Sequence, residues 1–303
     1  MKPIVQSLIE KASTVIYDKS EEILLCLTCI LSEGHLLIED VPGVGKTTLV
    51  HTIAKLLDFQ FSRIQFTNDL LPSDIIGNVI FDQEKKEFKF FEGPLFANLV
   101  LADELNRANP RTQSALLQAM EEFQVSQDKK TYNLPIPFIL IATQNPKTQI
   151  GTFQLPESQL DRFLMSLELN FADKESELKI FQGKDSRKYI KELTPLLKSQ
   201  DLILHQQECQ KVYLSPLIAE YIYSLVHFTR NNSLYSPLST QAGLALAKAS
   251  KSYAYIQNRE FVLPEDVQKI APSVLGHRLG LSEGVKLGKK MVSEIISQTQ
   301  IPV

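Results

Sequence analysis

Cysteine is scarce. The 303 residues hold three (Cys26, Cys29, Cys209), too few for a disulfide framework and suited to a reducing compartment. Five histidines (His35, His51, His205, His227, His277) are scattered with no pair at ligand spacing, so a bound transition metal is not expected. Positive charge is not in excess: the formal net charge is −3, which leaves no electrostatic footprint for nucleic acid. No apolar run approaches the roughly 18–20 residues needed to cross a bilayer. The N-terminal segment Met1-Lys-Pro-Ile-Val-Gln-Ser-Leu-Ile-Glu10 has no signal-peptide hydrophobic region. These absences predict a cytoplasmic protein without direct membrane insertion. Its 44% hydrophobic and 22% charged content fit a globular chain, long enough for two domains or one large one. Cys26-Leu-Thr-Cys29 has the spacing of a redox motif, but it lies in an apolar run, 23–31, that reads as a buried helix and favours a structural role.

What is present is concentrated at 38–48, Ile-Glu-Asp-Val-Pro-Gly-Val-Gly-Lys-Thr-Thr, which leads into a helix pattern (Leu49, Ile53, Leu56, Leu57). A phosphate-binding loop asks for Gly, four free positions, then Gly-Lys-Ser/Thr. Gly45-Lys46-Thr47 meets the second half, Gly43 remains inside the loop, and Asp40 stands where the first glycine is expected. Backbone N–H groups must converge on phosphate oxygens at a helix N-terminus, so the residues nearest the phosphates matter most. Asp40, at a strand end, can carry a side chain.

Residues 4–33 have helical periodicity. Strand-length apolar runs follow at 35–39, 98–102, 136–142 and 164–169, mostly separated by amphipathic helices, the pattern of a parallel sheet buried on both faces. A helix over 110–123 begins at Pro110. The stretch 79–91 has β-rich ends and a polar centre, as a protruding hairpin would. From about 173 no further strand signal appears; 203–257 and 265–299 read as helices with breaks at Pro216, Pro237, Pro264 and Pro272. There are no repeats and no low-complexity segment.

The strand Leu99-Val-Leu-Ala-Asp-Glu104 ends in two acids. Asp103 can hold a Mg²⁺-bound water while the Thr47 hydroxyl ligates the ion, and Glu104 is placed to polarise a water for attack on a γ-phosphate. A solvated acidic turn is the alternative. The strand at 138–142 ends in Thr143-Gln-Asn-Pro146, whose amide at Asn145 can bond both water and phosphate, or serve only as a turn before proline. Arg162, just before the strand at 164–169, could complete a neighbouring subunit's site or pair with Asp161 or Glu157.

Taken together, these segments resemble the AAA+ ATPases, and more narrowly the MoxR family, across nearly the whole chain. The resemblance is carried by Asp69-Leu-Leu-Pro-Ser-Asp-Ile-Ile-Gly77, Phe91-Glu-Gly-Pro-Leu-Phe-Ala97, Ala102-Asp-Glu-Leu-Asn-Arg-Ala108, Thr112-Gln-Ser-Ala-Leu-Leu-Gln-Ala-Met-Glu-Glu122, Ile141-Ala-Thr-Gln-Asn-Pro146 and the stretch 155–163. The Asp40 form of the loop also looks like a family form.

The resemblance implies an α/β fold: an αβα nucleotide-binding core over 1–172 with a parallel sheet and an inserted hairpin near 79–91, then a smaller all-α lid over 173–303. It implies ATP and Mg²⁺ as cofactors, a phosphate cradle of Pro42, Gly43, Val44, Gly45, Lys46, Thr47 and Thr48, and Mg²⁺ held through Thr47 and Asp103. Glu104 would act on the water, Asn145 as first sensor, and Arg162 as arginine finger in a homo-oligomeric ring, usually a hexamer. The implied work is remodelling of protein clients, with the hairpin as a contact surface and a von Willebrand factor A-type protein as an expected partner.

Two departures stand out. Tyr17-Asp-Lys19 replaces the usual Gly-Gln near the adenine pocket, and Gln241 stands in place of the sensor-2 arginine. An amide brings no charge to a γ-phosphate, so slower hydrolysis or weaker coupling of the lid to nucleotide is expected. Lys248 is too far along the same helix to substitute, and 274–279, Val-Leu-Gly-His-Arg-Leu, matches the family without a role beyond lid packing. A nucleotide-gated scaffold with little turnover is the alternative function. DNA remodelling is disfavoured by overall acidity and by Lys85, Lys86 and Lys89 being interleaved with Glu84 and Glu87.

Overall fold

Five short strands lie side by side in a parallel sheet: β1 (Leu36–Glu39), β2 (Phe61–Gln65), β5 (Leu99–Asp103), β8 (Ile139–Gln144) and β9 (Met165–Leu167), in the order β2-β5-β8-β1-β9. The computed structural model describes residues 1–145, 152–182, 186–280 and 284–302; Pro146 of the sensor segment lies outside them. Alternate residues of the central strands face opposite layers. Leu36, Ile38, Leu99, Leu101, Ile139 and Ile141 point into one apolar cluster. Leu37, Val100, Ala102, Leu140 and Ala142 point into the other. The apolar runs at 35–39, 98–102, 136–142 and 164–169 thus hold the four strands they predict. Strand β2 carries no such apolar run, because on this edge strand only Ile64 is buried.

Helices α1 (Pro3–Ser13), α2 (Ser20–Leu31) and α3 (Lys46–Leu56) cover the first layer. Across the sheet lie α4 (Pro72–Ile76) and α5 (Pro110–Glu122), the latter capped by Asn109, whose side chain accepts from Arg111 N at 3.1 Å and Thr112 N at 3.0 Å. The expected hairpin is present as β3 (Gly77–Asp82) and β4 (Glu87–Glu92), antiparallel. A second, polar hairpin, β6 (Gln124–Gln127) with β7 (Lys130–Asn133), turns through Asp128 and Lys129, both at positive φ. It lacks the Asn-Gly or Asp-Gly signal that marks such turns.

After the single turn α6 (Glu157–Leu160), the chain continues with α7 (Lys174–Phe181), α8 (Ser186–Glu192), α9 (Ser199–Lys211), α10 (Pro216–Arg230), α11 (Thr240–Ile256), α12 (Pro264–Leu279) and α13 (Val285–Gln298). Pro216 and Pro264 start helices, and Pro237 falls between two. The break expected at Pro272 is absent: α12 runs through it, with Val267, Ile270, Ala271, Val274 and Leu275 all buried around it. Packing of that helix outweighs the roughly 3 kcal/mol an interior proline costs. The first apolar cluster is continuous from α1 and α2 through one sheet face into this helical lid.

Candidate active site

The parallel topology delivers the C-terminal ends of β1, β5 and β8 to one edge, where the candidate residues meet. Between β1 and α3 the loop holds Pro42, Gly43, Val44 and Gly45. Gly43 (φ 90°) and Gly45 (φ 95°) adopt the left-handed conformation, and a Cβ on either would meet nothing within 4 Å. The glycines are therefore required by backbone conformation, and the space beside them is bare. Gly45 caps α3 without a side-chain bond, and the first turn (Lys46, Thr47, Thr48) carries no acid. Its N–H groups and the helix dipole make an anion cradle.

Lys46 is buried, and its Nζ donates to Asp40 O at 2.6 Å and Val41 O at 3.2 Å. Burial lowers its pKa from the ordinary lysine value, while Asp40, Asp103 and Glu104 pull the other way. Asp40 explains its own presence. Its Oδ1 accepts from Val41 N (2.8 Å), and its Oδ2 from Leu169 N (2.8 Å) and Asn170 N (2.7 Å), tying the loop to the chain leaving β9.

Asp103 ends β5, with its Oδ1 accepting from Thr143 Oγ1 at 2.6 Å and its Oδ2 held by Arg63 Nη2 at 2.6 Å. Glu104 follows at φ 58°, a left-handed conformation that costs a non-glycine residue about 1–2 kcal/mol. Its N–H donates to Thr143 Oγ1 (2.9 Å), so one hydroxyl positions both acids. Asn145 Nδ2 donates to Glu104 Oε1 at 3.2 Å, while Gln65 (3.1 Å) and Arg107 (2.9 Å) hold Oε2. Thr47 and Asp103 offer hard oxygen donors, the set Mg²⁺ prefers. The roles of Arg63, Gln65 and Thr143 carry no local signal: the first two lie at the polar tip of the edge strand β2, and the Thr143 hydroxyl acts on acids about 40 residues earlier in the chain.

Tyr17 and Lys19 line a cavity of about 220 Å³ with Gly43, Gly45, Thr48 and Phe171, so the Tyr17-Asp-Lys19 segment does adjoin the phosphate loop. Lys19 Nζ donates to Phe171 O at 3.2 Å.

Arg162 and Gln241 are not brought to this cluster. Arg162 pairs with Glu121 (2.9 Å), rather than with Asp161 or Glu157. Gln241 is exposed on the first turn of α11, whose cap Ser239 donates to Asp161 Oδ2 at 2.9 Å. It therefore sits on the Arg162 side and not in the wall of the cavity beside Lys46. Lys248 is engaged with Glu33 at 3.0 Å.

The chain is similar to known proteins along most of its length. Residues 35–165 match the ATPase family associated with various cellular activities (AAA), and 231–298 match the AAA lid domain. The chain is 41% identical to YeaC of Bacillus subtilis, covering all of this chain and 96% of that one. It is 39% identical to Chaperone MoxR1 of Mycobacterium tuberculosis, over 84% of this chain and 70% of that one. A crystal structure of a Cytophaga hutchinsonii protein assigned as an ATPase superposes with TM-score 0.88 at 36% identity, covering 99% of this chain and 95% of that one. With its αβα core, its helical lid and these relatives, the chain belongs to the MoxR family of AAA+ ATPases.

Proposed function

We propose that this protein binds ATP with Mg²⁺ and hydrolyses it, working as a ring-shaped homo-oligomer that remodels partner proteins. The observation that carries the reading is the convergence of Lys46, Asp103, Glu104 and Asn145 beside a bare glycine cradle. In this reading Pro42, Gly43, Val44, Gly45 and Thr48 surround the phosphates, and Lys46 neutralises them. Thr47 and Asp103 would hold Mg²⁺, which when bound neutralises phosphate charge and orients the oxygens. Glu104 takes the proton of the attacking water, and Asn145 orients it through the bond it already makes to Glu104 Oε1.

Arg162 and Gln241, both away from this chain's own cradle, would face a neighbour's nucleotide. The division into a core over 1–172 and a lid over 173–303 suits a lid that responds to nucleotide state. The hairpin β3–β4 exposes Ile80, Phe81, Phe88 and Phe91, apolar surface that suits contact with protein clients, among which a von Willebrand factor A-type protein is our first candidate. A relative named a chaperone supports the remodelling role. Among the described residues no helix is long and apolar enough to cross a membrane, which accords with a cytoplasmic site of action.

Glu104→Gln is the test. Phosphate release should fall by roughly 10²–10⁴-fold while ATP binding is retained; full release in the variant would refute the assignment.

The hold of Gln65 and Arg107 on Glu104 Oε2 favours a second reading, a nucleotide-gated scaffold with little turnover. Phosphate release measured alongside ATP-dependent assembly separates the two, since a scaffold assembles without release.

A further inference from the structure

The segment 274–279 carries an arginine in a place where burial is costly. Arg278, in the last turn of α12, is 7% exposed, and burial lowers its pKa from the ordinary arginine value. A charge kept there needs partners, and among the described residues every partner outside α12 belongs to the turn that bears Arg162. Nε donates to Asp161 Oδ1 at 2.6 Å. Nη2 donates to Asp161 O at 3.1 Å and Phe163 O at 3.0 Å. Nη1 reaches Leu164 O at 3.4 Å, as well as Val274 O and His277 Nε2 on its own helix. The neighbouring His277, also buried, lies 3.0 Å from Phe163 O and 3.2 Å from Ser166 Oγ. The second oxygen of Asp161 takes the Ser239 hydroxyl that caps α11.

One guanidinium thus fixes the chain on both sides of Arg162, while among the described residues the Arg162 side chain is held by a half-exposed pair with Glu121. Such pairs are weak and readily exchanged. A locked backbone carrying a loosely held cation is what delivery of charge across a subunit boundary needs, because the geometry is set before the partner arrives. Lysine cannot replace this fork: it offers one point charge where five planar donors are in use.

We infer that Arg278 is a positioning residue that holds the 161–163 turn so that Arg162 is presented to a neighbouring subunit's nucleotide. This rests on the reading of Arg162 as acting in trans. It assigns the 274–279 segment a task in turnover and makes α12 the part of the lid through which that turn is held.

Arg278→Lys and Asp161→Asn, each in the full chain, test it by subunit mixing. Each should bind ATP within about threefold of the unsubstituted protein yet lose roughly a hundredfold in turnover, the scale of a misplaced group. Mixing either with Lys46→Ala subunits, whose phosphate site is broken but whose 161–163 turn is intact, should restore phosphate release. Arg162→Ala mixed with Lys46→Ala is the control. If the control recovers and the Arg278 and Asp161 variants do not, or if they turn over normally alone, the inference is wrong. If neither substituted chain folds by circular dichroism, the contacts serve the fold and the inference also fails. If the control itself does not recover, the trans reading fails and takes the inference with it.

Discussion

Asp40 occupies the position where phosphate loops carry their first glycine, and its carboxylate takes three backbone N–H groups, two of them from the chain leaving β9. Asp40→Asn would turn one acceptor oxygen into a donor facing those N–H groups. Each bond to a charged acceptor contributes roughly 1.5–3 kcal/mol, so a loss of about 2–4 kcal/mol is expected. The cradle, anchored through the same carboxylate, should loosen with it. Denaturant titration and ATP binding should both weaken; a variant with unchanged stability would show that the three bonds are replaceable. The loop itself was legible because its requirements are local: two glycines, a lysine and a threonine within five residues. The role of Asp40 was not, since its partners lie 129 and 130 residues away in sequence. The same holds for Arg278, whose partner Asp161 is 117 residues distant, and, over shorter separations, for the Gln65 and Arg63 bonds to Glu104 and Asp103.

Among the elements, the hairpin β3–β4 was legible from its β-rich ends, but its root was not. Gly77 sits at φ 115°, and an added Cβ would lie 2.2 Å from Phe91 O. Backbone cannot yield as a flexible side chain can. Phe90, alone among the hairpin phenylalanines, turns inward, stacking on Tyr132 of β7 at 4.0 Å and meeting Phe96 edge-on at 5.6 Å. The two hairpins therefore brace one another, which no local pattern in the polar β6–β7 segment announces. Gly77→Ala should detach the hairpin: proteolysis within 77–93 should accelerate, and the unfolding midpoint should fall. Phe88→Ser, at an exposed tip that is 70% accessible, should leave that midpoint nearly unchanged. Equal effects of the two substitutions would contradict a root fixed by backbone geometry.

Across the whole molecule, a single apolar cluster joins α1 and α2, one face of the sheet and the lid, so the lid shares its core with the nucleotide domain. Two histidines are buried beyond this cluster. His277 lies between α12 and the 163–166 segment, its pKa pushed well below the ordinary value by burial and by Arg278. His35 lies between β8 and the end of α5, where Nδ1 accepts from Leu140 N at 3.0 Å. Its Nε2 must then carry the hydrogen and donate to Met120 O at 3.1 Å. Protonation would set a new N–H against the Leu140 N–H, and burial already lowers its pKa from 6.5 to about 4. The sign follows: between those values the unfolded chain takes up a proton that the fold refuses, so stability is full above pH 6.5 and declines as pH falls. At pH 5 the His35 contribution alone amounts to about 2 kcal/mol of lost stability, and His277 adds to it. Because core and lid share one cluster, the loss should appear as a lowered midpoint of a single transition, coincident by far- and near-ultraviolet circular dichroism. Separate melting of two units on acidification would contradict the shared core. An unchanged midpoint from pH 7.5 to 5 would show that one or both histidines gain a proton within the fold, through a rearrangement that supplies the new N–H with an acceptor.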